Sequence, residues 1–118
     1  MFVKVLKSKL HHAKVTETKL NYPGSIAIDE ELMKKADINP YEIVLIADLD
    51  NGNRLQTYAI PEQAGSGQIT ILGAAAKRIE KNDTIIIFSF LYCSPDEAKN
   101  IKPKVLLLDE DNKIKKTS

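Results

Sequence analysis

One run of residues limits the fold more than any other feature of this chain. Residues 84–91 (TIIIFSFL) are apolar at both odd and even positions. Successive side chains of a β-strand point to opposite faces, so such a strand needs cover on both of them. A chain of 118 residues has much surface for its volume. The run therefore predicts a strand covered by the rest of its own barrel or by a neighbouring subunit.

The remaining pattern also indicates mostly strands. Alternating apolar and polar residues predict strands at residues 2–6, 12–18, 42–49, 54–60, 68–72 and 104–109. The turn signal Asp50-Asn51-Gly52 between two of these runs predicts a hairpin. Short helices are expected at 30–36, capped by Asp29, and at 73–78. The polar tail 112–118 is expected to be loose. These elements predict one domain, residues 1–118, of mainly β class: a small β-barrel with two short helices.

Charge and composition exclude several classes of function. The net charge is +1, which provides no basic surface for nucleic acid. No apolar run reaches the roughly 18 residues of a membrane span, and the first residues lack the regions of a signal peptide. The single Cys93 excludes an intrachain disulfide and fits a reducing cytoplasm. We therefore expect a cytoplasmic protein that binds neither nucleic acid nor membrane.

The Gly24-Ser25 peptide can carry chemistry of its own. A serine hydroxyl can attack the carbonyl carbon of the residue before it and shift the acyl group from nitrogen to oxygen. A preceding glycine favours this attack, because its missing Cβ leaves the approach open and permits unusual backbone angles. Taken alone, Pro23-Gly24-Ser25 is more typical of an ordinary turn.

Two further segments contain candidate binding residues. Arg54 and Tyr58 are four residues apart, so strand alternation places them on one face, with Thr57 on the other. A guanidinium can hold a carboxylate through two hydrogen bonds, although an arginine beside a turn is often only solvated. Gly73-Ala74-Ala75 begins a predicted helical turn, where free N–H groups can bind an anion, although such strings often serve close packing.

The adjacent residues His11 and His12 are not expected to form a metal pair. Neighbouring side chains on a strand point to opposite faces, so the two imidazoles should lie apart. No metal site is predicted from them.

Three segments together carry a family resemblance. They are residues 20–26 (LNYPGSI), 51–58 (NGNRLQTY) and 73–76 (GAAA). In this order and spacing the chain resembles the pyruvoyl-dependent aspartate 1-decarboxylases, from about Lys9 to Phe90. The resemblance implies a double-psi β-barrel that cuts itself between Gly24 and Ser25 into chains 1–24 and 25–118. It also implies a pyruvoyl group made from Ser25, and a homotetramer with sites between subunits.

The resemblance implies a reaction as well. The pyruvoyl ketone forms a Schiff base with L-aspartate and delocalises the electron pair that stays on the carbon when CO2 leaves. The product is β-alanine, for pantothenate and coenzyme A synthesis. Tyr58 corresponds to the proton donor, and Thr57 to a residue that assists cleavage and also contacts the substrate. The implied substrate-binding residues are Lys9, Arg54, Thr57, Gly73, Ala74 and Ala75. His11 and Tyr22 correspond to positions near the site that support it.

The chain departs from the family pattern at two positions. Leu72 replaces the usual asparagine before Gly73, which removes a polar contact near the cleavage site. Pro23 is not the most common residue before Gly24, and it stiffens the approach to that site. Two alternatives therefore stay open beside the active enzyme: an uncut, inactive proenzyme, and a non-catalytic double-psi barrel that serves as a binding module.

Overall fold

The computed structural model describes residues 1–118 and is mainly β, as predicted. The strands are β1 (Val3–Lys14), β2 (Glu17–Lys19), β3 (Ser25–Asp29), β4 (Ile43–Asp48), β5 (Arg54–Glu62), β6 (Ile69–Leu72), β7 (Thr84–Cys93), β8 (Lys104–Leu108) and β9 (Ile114–Thr117). The helices are α1 (Glu30–Lys35), a 3₁₀ helix (Gly73–Lys77) and α2 (Pro95–Ala98). Both predicted helices are present, and the sequence pattern did not predict α2.

The strands form one barrel-like sheet in the order β2-β6-β3-β5-β4-β7-β1-β8-β9. Three neighbouring pairs are parallel (β1 with β8, β2 with β6, β3 with β5), and the other five are antiparallel. The hairpin predicted at Asn51-Gly52 joins antiparallel β4 and β5. A single cluster of 19 buried apolar residues fills the interior.

The two-sided apolar strand is confirmed as β7. Its inward residues Ile85, Ile87 and Ser89 are fully buried. Its outward residues Ile86 and Phe88 are only half-buried within this chain. One face of the strand is thus covered by the core, and the other keeps apolar surface in contact with solvent.

Strand β1 differs from the prediction of separate strands at 2–6 and 12–18. It is one strand of 12 residues, with register shifts against β7 after Leu6 and after Leu10. The polar Ser8 breaks the apolar alternation in the sequence, yet it faces the core and is fully buried. Because a polar residue occupies an inward position, the sequence pattern did not show that the strand is continuous.

Two other strands were missed. All five residues of β3 are buried, because β3 lies between β5 and β6. The tail expected to be loose contains β9, which pairs with β8. Strand β3 depends on partners distant in sequence, whereas β9 forms a hairpin with the adjacent β8 but is short and mostly polar, so neither has the alternation that marks a half-buried strand.

Asp29 caps α1 as predicted, and its carboxylate also holds the loop before β6. Its carboxylate accepts backbone N–H bonds from Glu31, Gly65 and Gly67, each at 2.9 Å. Burial alone would raise the pKa of the Asp29 carboxyl, but these three donors, with a smaller effect of Lys113, lower it below its usual value. The residue fixes the loop before β6 to the start of α1.

Candidate active site

The Gly24-Ser25 peptide lies where an exposed bend enters the sheet. Gly24 is exposed, whereas Ser25, the first residue of β3, is only 2% exposed. On the antiparallel side Ser25 pairs with Leu72 of β6. The residue that replaces the family's usual asparagine therefore lies directly opposite the serine.

Gly73 allows the chain around Gly24 to pass close by. Its φ is +80°, and a Cβ placed there would lie 2.7 Å from the Cα of Gly24 and 2.8 Å from the carbonyl oxygen of Tyr22. These are backbone atoms that cannot rotate away, so only glycine fits at this position. We predicted Gly73 as a substrate-binding residue, and its role in holding the Tyr22–Gly24 backbone was missed.

The residues beside Gly24 and Gly73 that were predicted to support the site lie at or near the surface. Ala74 is exposed and Ala75 is half-buried in the 3₁₀ helix that follows Gly73. The side chain of Tyr22 is 53% exposed, with the ammonium group of Lys19 at 5.3 Å from the centroid of its ring. The helical turn predicted after Leu72 is thus present, beside the exposed bend that contains Gly24.

Tyr58 and Thr57 lie on β5, which runs parallel to β3. The register pairs Ile26 with Ala59, and one step back along both strands Ser25 is level with Tyr58. The ring of Tyr58 is half-buried, and its centroid is 6.0 Å from that of Tyr41. The sequence analysis did not identify Tyr41, because it lies outside every recognisable motif and meets Tyr58 only through the fold.

Lys9 and Arg54 form a second group around Phe88. The Lys9 Nζ lies 6.0 Å from the centroid of the Phe88 ring, and the Arg54 Cζ lies 5.7 Å from it. Both distances are within the usual range of cation–π contacts. Phe88 was predicted only as a strand residue, and no sequence signal connected it with the two cations.

The two histidines are arranged differently from the prediction. His12 has a φ of +61° at the register shift between β1 and β7, which turns its side chain toward its neighbour. The rings of His11 and His12 stack with centroids 4.1 Å apart, so the expectation of opposite faces is wrong. Burial, followed by the nearby charges of His12 and Lys9, lowers the pKa of His11. Its Nδ1 atom is buried without a hydrogen-bond partner.

The candidate residues thus form two groups on one chain. Arg54 and Tyr58 share a face of β5, but four residues of strand separate their Cα atoms by about 13 Å. The three cavities of the chain are lined by other residues, and none includes Ser25, Tyr58, Lys9 or Arg54. The isolated chain therefore has the candidate residues but no enclosed pocket around them.

The fold and these residues define a small, mainly β protein in which an exposed glycine precedes a buried serine at the first residue of β3. The family model for aspartate decarboxylase matches residues 1–115. The chain is 51% identical over 110 residues to the aspartate 1-decarboxylase of Thermosipho melanesiensis, covering 93% of this chain and 91% of that one. It belongs to the aspartate decarboxylase family.

Other relatives agree with this assignment. The chain is 51% identical over 116 residues to an aspartate 1-decarboxylase of Clostridium botulinum, covering 98% of this chain and 91% of the relative. It is 48% identical over 118 residues to that of Caldicellulosiruptor bescii, covering 100% and 92%. Among its helices, none has the length and apolar character needed to cross a membrane.

Proposed function

We propose that this chain decarboxylates L-aspartate to β-alanine and CO2, after it cuts itself between Gly24 and Ser25 and converts Ser25 to a pyruvoyl group. The observation that carries the proposal is the position of Ser25. The serine is buried at the first residue of β3, level with Tyr58, and follows a glycine that packs against Gly73. Full-length relatives named aspartate 1-decarboxylase support the choice of substrate.

The structure supports self-cleavage through the local backbone. The Ser25 hydroxyl is adjacent to the Gly24 carbonyl that it would attack, and Gly24 has no Cβ to block the approach. The register of β3 and β5, continued back two residues from Ile26, brings Gly24 to the level of Thr57. The Thr57 hydroxyl is therefore suited to donate to the Gly24 carbonyl oxygen as negative charge develops there. The products would be chains 1–24 and 25–118.

The surroundings of Ser25 fit a pyruvoyl group derived from it. Gly73 lets the backbone that precedes Ser25 pass close to the 3₁₀ helix, and Leu72 provides an apolar neighbour. The ketone supplies an electron sink that binds the amino group of the substrate. Tyr58, level with Ser25, is placed to return a proton to the carbon that loses CO2.

The cationic groups would bind the carboxylates of the substrate. Arg54 provides a planar pair of donors, and Lys9 provides a second positive charge beside the same ring of Phe88. The backbone N–H groups of Gly73, Ala74 and Ala75 would complete the binding of the substrate. Burial, followed by the charges of His12 and Lys9, lowers the pKa of His11, which favours its neutral form.

We propose that the complete site forms between copies of the chain in a homotetramer. About 13 Å of strand separates the Cα of Arg54 from that of Tyr58, which is level with Ser25, so we infer that a second copy supplies one of the two groups. The outward face of β7, with Ile86 and Phe88, is apolar and only half-buried, and its burial would favour such an assembly. We place the enzyme in the cytoplasm, where its free Cys93 stays reduced and its product supplies pantothenate and coenzyme A.

Two alternatives differ from the active enzyme: an uncut proenzyme and a non-catalytic binding module. Leu72, opposite Ser25, provides no polar group to stabilise the cleavage intermediate, so the chain could remain a folded but inactive proenzyme. A binding module would have no use for Ser25 beside Tyr58, and the arrangement of these residues favours the enzyme.

The test is mass spectrometry of the purified protein under denaturing conditions, combined with an assay for β-alanine. The enzyme predicts two chains, 1–24 and 25–118, with the larger one lacking the amine nitrogen of Ser25. Ser25→Ala should give one intact, folded chain without activity. Decarboxylation of aspartate by that variant would disprove the pyruvoyl mechanism. If the parent protein is a single chain that stays uncut on warming, the result would support the inactive alternatives, the proenzyme and the binding module.

A further inference from the structure

Three aspartates outside the candidate active site converge at one end of the sheet. Asp48 ends β4, Asp50 lies in the turn to β5, and Asp83 immediately precedes β7. One carboxylate oxygen from each lies within 4.8 Å of the others. None of the three takes part in a salt bridge, so no cationic side chain neutralises the cluster.

Each of these carboxylates has one oxygen held by the backbone. Asp48 Oδ1 accepts from the Asp50 N–H at 2.8 Å, and Asp50 Oδ2 accepts from the Thr84 N–H at 2.7 Å. Asp83 Oδ2 accepts from the Glu80 N–H at 2.9 Å. These bonds fix the orientation of the three side chains and leave one oxygen of each available.

The free oxygen of Asp48 is the feature that indicates a ligand. Asp48 is only 2% exposed, and its Oδ2 atom is buried without any hydrogen-bond partner. A buried carboxylate oxygen is unfavourable unless a proton donor or a cation compensates it. Here no donor faces Oδ2, while a second carboxylate, that of Asp83, is buried nearby.

We propose that Asp48, Asp50 and Asp83 bind one hard divalent cation, with Ca2+ fitting best. Carboxylate oxygens are the preferred ligands of such ions, and Ca2+–oxygen distances of about 2.3–2.6 Å allow ligand oxygens up to roughly 5 Å apart. Mg2+ holds its ligands closer and demands octahedral geometry, which a set of this spread meets less well. Asp50 is exposed, so water can complete the coordination on that side.

The cation would join parts of the sheet that are distant in sequence. It would connect the β4–β5 turn to the start of β7. Side-chain amides of Asn51 and Asn53 already connect this turn to the end of the 3₁₀ helix, since they donate to the Arg78 carbonyl at 2.8 and 2.9 Å. Strand β5 begins at Arg54, directly after this turn. We therefore expect the cation to stabilise the hairpin that carries Arg54 and Tyr58.

The experiment uses the full chain in its purified assembly, freed of metal with a chelator and held in a buffer without phosphate at pH 7.5. Titration calorimetry with CaCl2 should show one Ca2+ per chain. Saturating Ca2+ should raise the Tm by several degrees, since a ligand that binds only the folded state stabilises it. Asp48→Asn keeps the acceptor for the Asp50 N–H but removes the charge, and should weaken binding at least tenfold. Asp83→Asn should act in the same way, whereas Asp96→Asn, a change at an exposed carboxylate beyond the opposite end of β7, should bind Ca2+ like the parent.

Two results would overturn the proposal. One is the absence of any heat or Tm shift with Ca2+ or Mg2+ at millimolar concentration. In that case a higher Tm for metal-free Asp48→Asn would show that the carboxylates of Asp48 and Asp83 repel each other with no cation between them. The other is equal Ca2+ binding by Asp48→Asn and the parent, which would place the ion elsewhere.

Discussion

Replacing Gly73 by alanine tests how tightly the cleavage site is built. The residue has a φ of +80°, a conformation that costs an alanine about 1–2 kcal/mol. The new Cβ would also lie 2.7–2.9 Å from backbone atoms of Gly24 and Tyr22. Relieving such overpacking costs about 1–3 kcal/mol more, because backbone must move. We expect Gly73→Ala to lower the free energy of unfolding by about 2–5 kcal/mol, a large part of the roughly 5–15 kcal/mol typical of a domain.

Gly52→Ala is the matched control. Gly52 has a φ of +78°, but a Cβ added there would meet no atom within 4 Å, so only the conformational cost applies. Both changes are made in the Ser25→Ala background, where every chain is uncut, and urea midpoints are compared at one protein concentration. With m near roughly 2 kcal/mol/M, Gly73→Ala should lower the midpoint by about 1–2.5 M and Gly52→Ala by less than about 1 M. Equal shifts for the two variants would refute the argument from close packing.

Three other changes test separate parts of the proposal. Tyr58→Phe should leave cleavage intact but lower β-alanine formation by about 100-fold or more, as expected when a general acid is lost; normal turnover would assign the proton to another group. Leu72→Asn, which restores a polar side chain opposite Ser25, should raise the fraction of cut chain at a fixed time, measured by mass spectrometry; an unchanged fraction would show that Leu72 does not limit cleavage. Asp29→Asn tests pH dependence. The pKa of the Asp29 carboxyl is lower in the folded state than its unfolded pKa of about 3.9, so the ionised carboxylate stabilises the fold above that pH. This stabilisation disappears as the pH falls through and below that value. The variant should therefore be less stable than the parent at pH 7, and the difference in urea midpoint should shrink between about pH 5 and pH 3; a constant difference would contradict the assignment.

Local signals in the sequence predicted the local structure correctly. The Asn51-Gly52 turn forms its hairpin, and Asp29 caps α1 through the Glu31 N–H. In both cases the information lies within a few residues, where turn and capping chemistry operate. Strand β3 could not be predicted in this way, because its pairing depends on β5 and β6, which are distant in sequence. Strand β9 lies next to its partner β8 in sequence, but it is too short and too polar to show a strand pattern.

The candidate site shows the same division between local and distant information. Strand alternation correctly placed Arg54 and Tyr58 on one face of β5, but it gave no reason to pair Ser25 with Leu72 or to place Gly73 against Gly24. Those contacts follow from the order of the strands. The stacking of the two histidines was missed because a register shift at one residue reverses the direction of a side chain.

The incomplete burial of β7 and the divided site have a common physical basis. A chain this short covers only the inner face of its most apolar strand, so Phe88 remains half-exposed on the other face. Lys9 and Arg54 lie beside that ring, and about 13 Å of strand separates the Cα of Arg54 from that of Tyr58, which is level with Ser25. Burying this face against a second copy would remove apolar surface from water and also surround the two cations with protein. Under the proposed function, assembly and substrate binding therefore depend on the same surface, and a charge introduced at Phe88 would weaken both.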